Sequence, residues 1–184
     1  MKSISHFFFD KFIQSGINES SATYLNMSVL LVALIIVLYV VDFVLRKIIV
    51  LAFSRFAEKS NTNFDNLMIK NKAPRNIAHI IPVIVADNLL EIVFVDFKEL
   101  ESFLSKGLEV FGVLLTLWIV RSLLNTFKDY FKTLPRLKDK PIDSYIQVFM
   151  IFAWAIGIIS TLVIIADIKV TTFLATLGAA SAVI

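Results

Sequence analysis

The run from Tyr145 to Ala166 contains no charged residue and no proline. At about 1.5 Å of rise per residue, about 20 residues of helix cross the roughly 30 Å hydrocarbon core of a bilayer, so this run is long enough to span one. Three further apolar runs of the same order precede it. They are Met27 to Leu45, interrupted only by Asp42, then Ile77 to Val95, then Phe103 to Leu124, with Lys106 and Glu109 near its start and Arg121 near its end. Ile77 to Val95 is the least apolar and carries His79, Pro82, Asp87, Asn88 and Glu91. The chain has 184 residues, 58% of them hydrophobic, and a mean hydropathy of +0.80. A water-soluble domain of that size cannot bury so much apolar surface. The fold expected is all-α and integral to the membrane.

A fifth apolar stretch, Thr171 to Ile184, differs in kind. It has no charge, and its second half is dominated by glycine, alanine and serine. Ala175, Ala179 and Ala182 stand at i, i+4 and i+7, with Gly178 and Ser181 beside them and Leu174 and Leu177 on the adjoining face. Small residues in such a row let helix backbones approach closely, and in lipid that approach is a main source of association. As a helix this stretch would reach only about 21 Å, short of a crossing. It is therefore expected to begin a longer helix, and the chain to be part of something longer. Hydrophobic constrictions gate pores by dewetting, and an uncharged apolar helix can supply one. Plain packing is the other reading of the same row.

Placement of lysine and arginine sets the orientation. The segment 46–76 holds Arg46, Lys47, Arg55, Lys59, Lys70, Lys72 and Arg75. The segment 125–144 holds Lys128, Lys132, Arg136, Lys138 and Lys140. The connection Asp96 to Glu101 has Lys98 against three carboxylates, and the last connection offers only Lys169 beside Asp167. The two basic segments are expected to face the cytoplasm, with the amino terminus outside and the fifth helix, incomplete here, heading inward. The resulting organisation is an extracytoplasmic amphipathic segment 1–25, a four-helix membrane region 26–168 with basic cytoplasmic loops 46–76 and 125–144, and the start of a further helix at 169–184. In the first segment Ile4, Phe8 and Phe12, with Phe9 and Ile13, recur at helical spacing. That pattern fits a helix lying on the membrane surface or one docked on the protein's own bundle.

Chemical motifs are sparse. The chain has no cysteine and two histidines, His6 and His79, and it carries no phosphate-binding glycine loop, nucleophile elbow or paired-histidine metal motif. These features suggest neither an enzyme nor a cofactor, and a net charge of +3 gives no reason to expect nucleic acid. The sharpest polar set is His79, Asp87 and Glu91, which fall within an arc of about 120° on a helix. Ionisable groups inside a membrane often mark ion or proton paths. Alternatively, His79 and Glu91 reach water at opposite ends and Asp87 pairs with another helix. Pro82 frees a backbone carbonyl and predicts a kink. Asp42 and Arg46 have the i, i+4 spacing of a helix-surface ion pair.

Three runs carry a family likeness: Phe64-Asp65-Asn66-Leu67 followed by Arg75, His79 and Pro82; Asp139-Lys140-Pro141-Ile142-Asp143-Ser144-Tyr145-Ile146-Gln147-Val148; and Leu174 to Val183. On these the chain resembles the small-conductance mechanosensitive channel (MscS) family, and within it the five-span miniconductance, YbdG-like bacterial type. The resemblance implies a homo-heptamer in the bacterial inner membrane, opened by tension during hypo-osmotic shock and passing ions and small solutes. It implies that Ala175, Gly178, Ala179 and Ser181 pack helix to helix around a pore, with Leu174, Leu177 and Ala182 as candidate pore-facing positions. The family's first constriction leucine falls near Ala182, which departs from the pattern. Membrane lipids are the other partner implied. Two alternatives stand beside this reading: an ion- or proton-coupled transporter using His79, Asp87 and Glu91, and a non-conducting oligomeric scaffold.

Overall fold

In the computed structural model the described residues are 5–60, 62–137, 140–169, 171–173 and 175. They form helices joined by short turns, and no strand occurs among them. In chain order the elements are α1 (Phe7–Gln14), α2 (Glu19–Lys59), α3 (Phe64–Lys70), α4 (Ala73–Ala78), α5 (Ile80–Val93), α6 (Lys98–Thr133) and α7 (Ile142–Ala166). Among the described residues, four helical segments are long and apolar enough to cross a membrane: Glu19–Lys59, Ala73–Val93, Lys98–Thr133 and Ile142–Ala166. This architecture is consistent with a multi-pass membrane protein. Of the expected fifth helix, Thr171, Thr172, Phe173 and Ala175 are helical, and the Phe173 N–H bonds to the Lys169 carbonyl at 3.1 Å.

Two helices far outrun their apolar stretches. At about 1.5 Å per residue, α2 is about 62 Å long and α6 about 54 Å, roughly double the thickness of a bilayer core. Much of the basic segment 46–76, expected as a loop, is helical. α2 runs through Arg55 to Lys59, and α3 and α4 follow. Lys128 and Lys132 likewise stand on α6. Charged residues of good helix propensity continue a helix once the apolar run has nucleated it. α2 opens with Asn18 as its cap, the side-chain Oδ1 accepting from the Ser21 N–H at 2.8 Å. Gly16, at φ 85°, supplies the left-handed turn before it.

The chain divides into two compact units. Unit 1 comprises residues 1–48 and 78–108. Its core joins Leu30 and Leu34 of α2, one turn apart, to Leu90, Val93 and Phe94 at the end of α5. Phe8 of α1 and Leu104 and Leu108 of α6 pack around this cluster. α1 is thus docked on its own bundle, one of the two expectations for the amphipathic segment. Asn26, 1% exposed, holds it there: its Nδ2 donates to the Ser5 carbonyl at 2.7 Å and its Oδ1 accepts from the Phe9 N–H at 3.2 Å. Replacing Asn26 with leucine strips both partners in a buried place, which costs about 1–3 kcal/mol. The expected result is faster amide exchange over residues 5–14 with α5 unchanged, read by hydrogen-exchange mass spectrometry.

Unit 2 comprises residues 49–77 and 109–184. Here the second half of α6 is the spine. Phe64 of α3 meets Phe127 and Tyr130 at ring-centroid distances of 5.3 and 5.4 Å. Asn71 donates to Asp129 at 3.2 Å, and Lys70 pairs with the same carboxylate at 3.5 Å. From α4, Asn76 donates to the Ser122 hydroxyl at 2.6 Å. In lipid the apolar faces gain little from leaving the acyl chains, so such polar bonds and close packing decide which helices stay together. α7 is capped by Asp167, whose left-handed conformation (φ 56°) goes with its own N–H donating to the Ile164 carbonyl and the Ile168 N–H to that of Val163.

Candidate functional site

The expected polar set of α5 does not assemble. His79 lies in the interruption between α4 and α5 rather than on α5 itself. Pro82 explains the break: its ring displaces the carbonyl of Ala78 four residues earlier, and its missing N–H removes that rung. The disturbance expected at Pro82 therefore appears one turn upstream. Set at that break, the His79 Nδ1 is 2.6 Å from Asp42 Oδ1, while Arg46 Nη2 is 2.9 Å from the other oxygen of the same carboxylate. Asp42 thus ties α2 to the start of α5 and holds the expected i, i+4 pair with Arg46. All three side chains are largely buried, with Asp42 23%, Arg46 32% and His79 31% exposed.

Asp87 faces another element, accepting from the Ser105 hydroxyl of α6 at 3.0 Å. Glu91 is exposed; the hydrogen bond from Lys98 to Glu101 raises the Lys98 pKa, and the charges of Glu101 and Glu91 add to it in smaller measure. Three residues that share a face by spacing thus engage separate partners. Among the described residues no cluster of histidine, aspartate and glutamate is placed to hold a metal ion.

The fifth stretch is described only in part. Ala175 is helical and exposed. Leu174, Leu177, Gly178, Ala179, Ser181 and Ala182 lie outside the described residues. What the structure does define is the helix that leads to it. α7 is apolar on all sides: Phe149, Ile151, Phe152, Ile156 and Ile165 are each 64–68% exposed, and only 11% of its most apolar window is buried. Such a helix needs lipid or other helices around it.

α7 meets α6 along a narrow seam. Gly157 sits against Leu117 so closely that a Cβ built on the glycine would fall 2.7 Å from Leu117 Cδ1. At the other end Asp143 takes Lys132 at 2.5 Å and Lys128 at 3.7 Å. The Lys132 hydrogen bond, reinforced by both ammonium charges, holds the Asp143 carboxyl below its ordinary pKa. Asp143 is exposed and precedes the apolar run that begins at Tyr145. Neither Gly157 nor Leu117 stood out in the sequence. A single glycine inside an uncharged helix was the available signal, and it marks close backbone approach.

Comparison with protein-family models, with curated proteins and with solved structures gives no match.

Proposed function

We propose that this chain forms the membrane region of a tension-gated channel of the MscS type, in which residues 171–184 begin the helix lining a central pore. The observation that carries the reading is α7. It exposes apolar surface on nearly every side, is fastened to α6 by one tight seam and one ionic clamp, and passes at Asp167 into the small-residue stretch. A helix of that kind suits a ring of copies embedded in lipid. The three sequence runs that resemble the family support the same view, as does the alternation of basic segments, which puts the amino terminus outside and the fifth helix on its way into the cytoplasm.

In this reading seven copies assemble in a bacterial inner membrane, and ions and small solutes pass during hypo-osmotic shock, with no catalytic step. Tension favours whichever state occupies more membrane area, and it shifts the equilibrium only through that difference. A seam of Ala175, Gly178, Ala179 and Ser181 would let neighbouring pore helices slide and tilt. Replacing Gly178 or Ala179 with leucine is expected to change the tension needed for opening, measured by suction on excised patches. Unchanged tension dependence in both variants, or a particle without sevenfold symmetry, would count against the proposal. A scaffold that does not conduct would give silent patches. The coupled-transporter reading has less support, because His79, Asp87 and Glu91 engage different partners.

A further inference from the structure

Within unit 1 the start of α1 meets the turn between α5 and α6. His6, the residue from which α1 begins, brings its Nδ1 to 3.9 Å from Asp96 Oδ2. That nitrogen is buried and has no hydrogen-bond partner among the described residues, although the side chain as a whole is 38% exposed. Buried polar atoms are nearly always paired, so an unpaired one beside a carboxylate calls for a reason. Both partners are held through their neighbours. The Asn26 side chain grips the Ser5 carbonyl and the Phe9 N–H on either side of His6. Asp96 follows Phe94, a core residue 2% exposed, and precedes Phe97, whose ring lies 5.2 Å from that of Tyr24.

The gap is too long for a hydrogen bond and short enough for Coulomb attraction. Neither neutral form of an imidazole closes it. With the proton on Nε2, the Nδ1 lone pair faces the carboxylate; with the proton on Nδ1, the hydrogen stops short of Oδ2. A second proton makes the ring a cation with a donor on each nitrogen. Closing by about 1 Å then gives a charge-assisted bond of ordinary length. Asp96 lies in the turn outside both helices, so that movement breaks no rung of a helical ladder.

The surrounding charge acts in the same sense. Along α1, Asp10 stands one turn on, and Lys11 is turned to the Phe7 ring at 4.6 Å. α2 begins with Glu19, and the exposed Glu91 stands near the end of α5. α6 opens with Lys98 and Glu99, and Lys98 is occupied by Glu101 at 2.8 Å. Carboxylates outnumber cations on these helix ends, so an imidazolium there meets net attraction.

We propose that His6 and Asp96 form a pH-sensitive latch, in which protonation of His6 draws α1 onto the α5–α6 turn and its deprotonation loosens that hold. An imidazole changes charge between about pH 5 and 8, where carboxylates ordinarily stay ionised. The docked state offers the imidazolium an anionic partner that the undocked state lacks. Docking is therefore tighter below the imidazole range and looser above it. Asn26 keeps α1 in place throughout, so the latch adjusts how firmly α1 is held rather than whether it is held. Which side of the membrane is sensed rests on the orientation reading, which puts residues 1–25 and 96–101 outside. The latch itself does not depend on the channel reading.

The test is hydrogen-exchange mass spectrometry on the full chain in detergent, at several values between about pH 8 and about pH 5.5. Rates are corrected for the intrinsic effect of pH on exchange. Protection over residues 5–14 is expected to rise about two- to five-fold on acidification, the range of a partly exposed ion pair. His6→Gln should flatten that rise, and so should Asp96→Asn, while protection of α5 stays as in the parent at every pH. A parent protein whose residues 5–14 show no pH dependence overturns the proposal. A rise that survives His6→Gln also overturns it, by assigning the effect to His79 or to the terminal amine, which titrate in the same range. A rise that survives Asp96→Asn overturns it by removing the anionic partner. Should His6→Gln undock α1 at every pH, Asp96→Asn decides alone, since it leaves the imidazole and the Asn26 bonds intact.

Discussion

Gly157→Val is expected to destabilise the attachment of α7 to α6 by about 3 kcal/mol, at the upper end of what overpacking costs. Even the first carbon of a side chain would meet Leu117 Cδ1 at 2.7 Å and Cγ at 3.3 Å. Leu117 is 6% exposed, so its side chain has little room to swing aside. Gly157→Ala is the milder form, about 1–2 kcal/mol, because the end of a leucine yields more readily than backbone. The measurement is the thermal midpoint in detergent, followed through the near-ultraviolet signal of Trp154. The diagnostic is a double-mutant cycle with Leu117→Ala. If contact with Leu117 is the cause, the alanine substitutions will couple favourably by more than about 0.5 kcal/mol. Strict additivity would place the origin elsewhere in the helix.

Asp42→Ala is the second large effect. It removes one carboxylate from two partners, leaving the Arg46 guanidinium and the His79 ring largely buried with nothing to receive their protons. Neutral hydrogen bonds between membrane helices average about 0.6 kcal/mol and reach about 1.7. Bonds to a charged group contribute about 1.5–3 kcal/mol. The expected loss is thus about 2–3 kcal/mol, tempered from the fully buried case by partial exposure. Asp42→Asn keeps an acceptor of the same shape and should lose about half as much. His79→Ala removes one of the two contacts and should fall below Asp42→Ala. Equal stability of Asp42→Ala and the parent in a denaturant titration would show that the cluster does not bind α2 to α5.

These two sites show what a linear reading can and cannot reach. The spans were legible because lipid demands length and apolarity, properties that Tyr145 to Ala166 displays without any partner. Their ends were less so. Arg55 to Lys59 is polar but continues α2, since no proline or glycine stops it, and Phe64–Lys70 turns a supposed loop into a helix held by Phe127, Tyr130 and Asp129. Asp42 and Arg46 could be paired from spacing alone. Adding His79 needed the tertiary fold, because 37 residues separate it from Asp42. The docked state of α1 depended on Asn26, one polar residue in an otherwise unremarkable helical start.

The corner after α7 has a mechanical consequence. Asp167 holds a left-handed conformation with a side chain in place, where most helices that stop this way use glycine. Aspartate tolerates that region but does not roam from it as glycine does. A glycine at this corner would open backbone conformations that the Asp167 side chain closes, so the native residue narrows the directions in which the chain can leave α7.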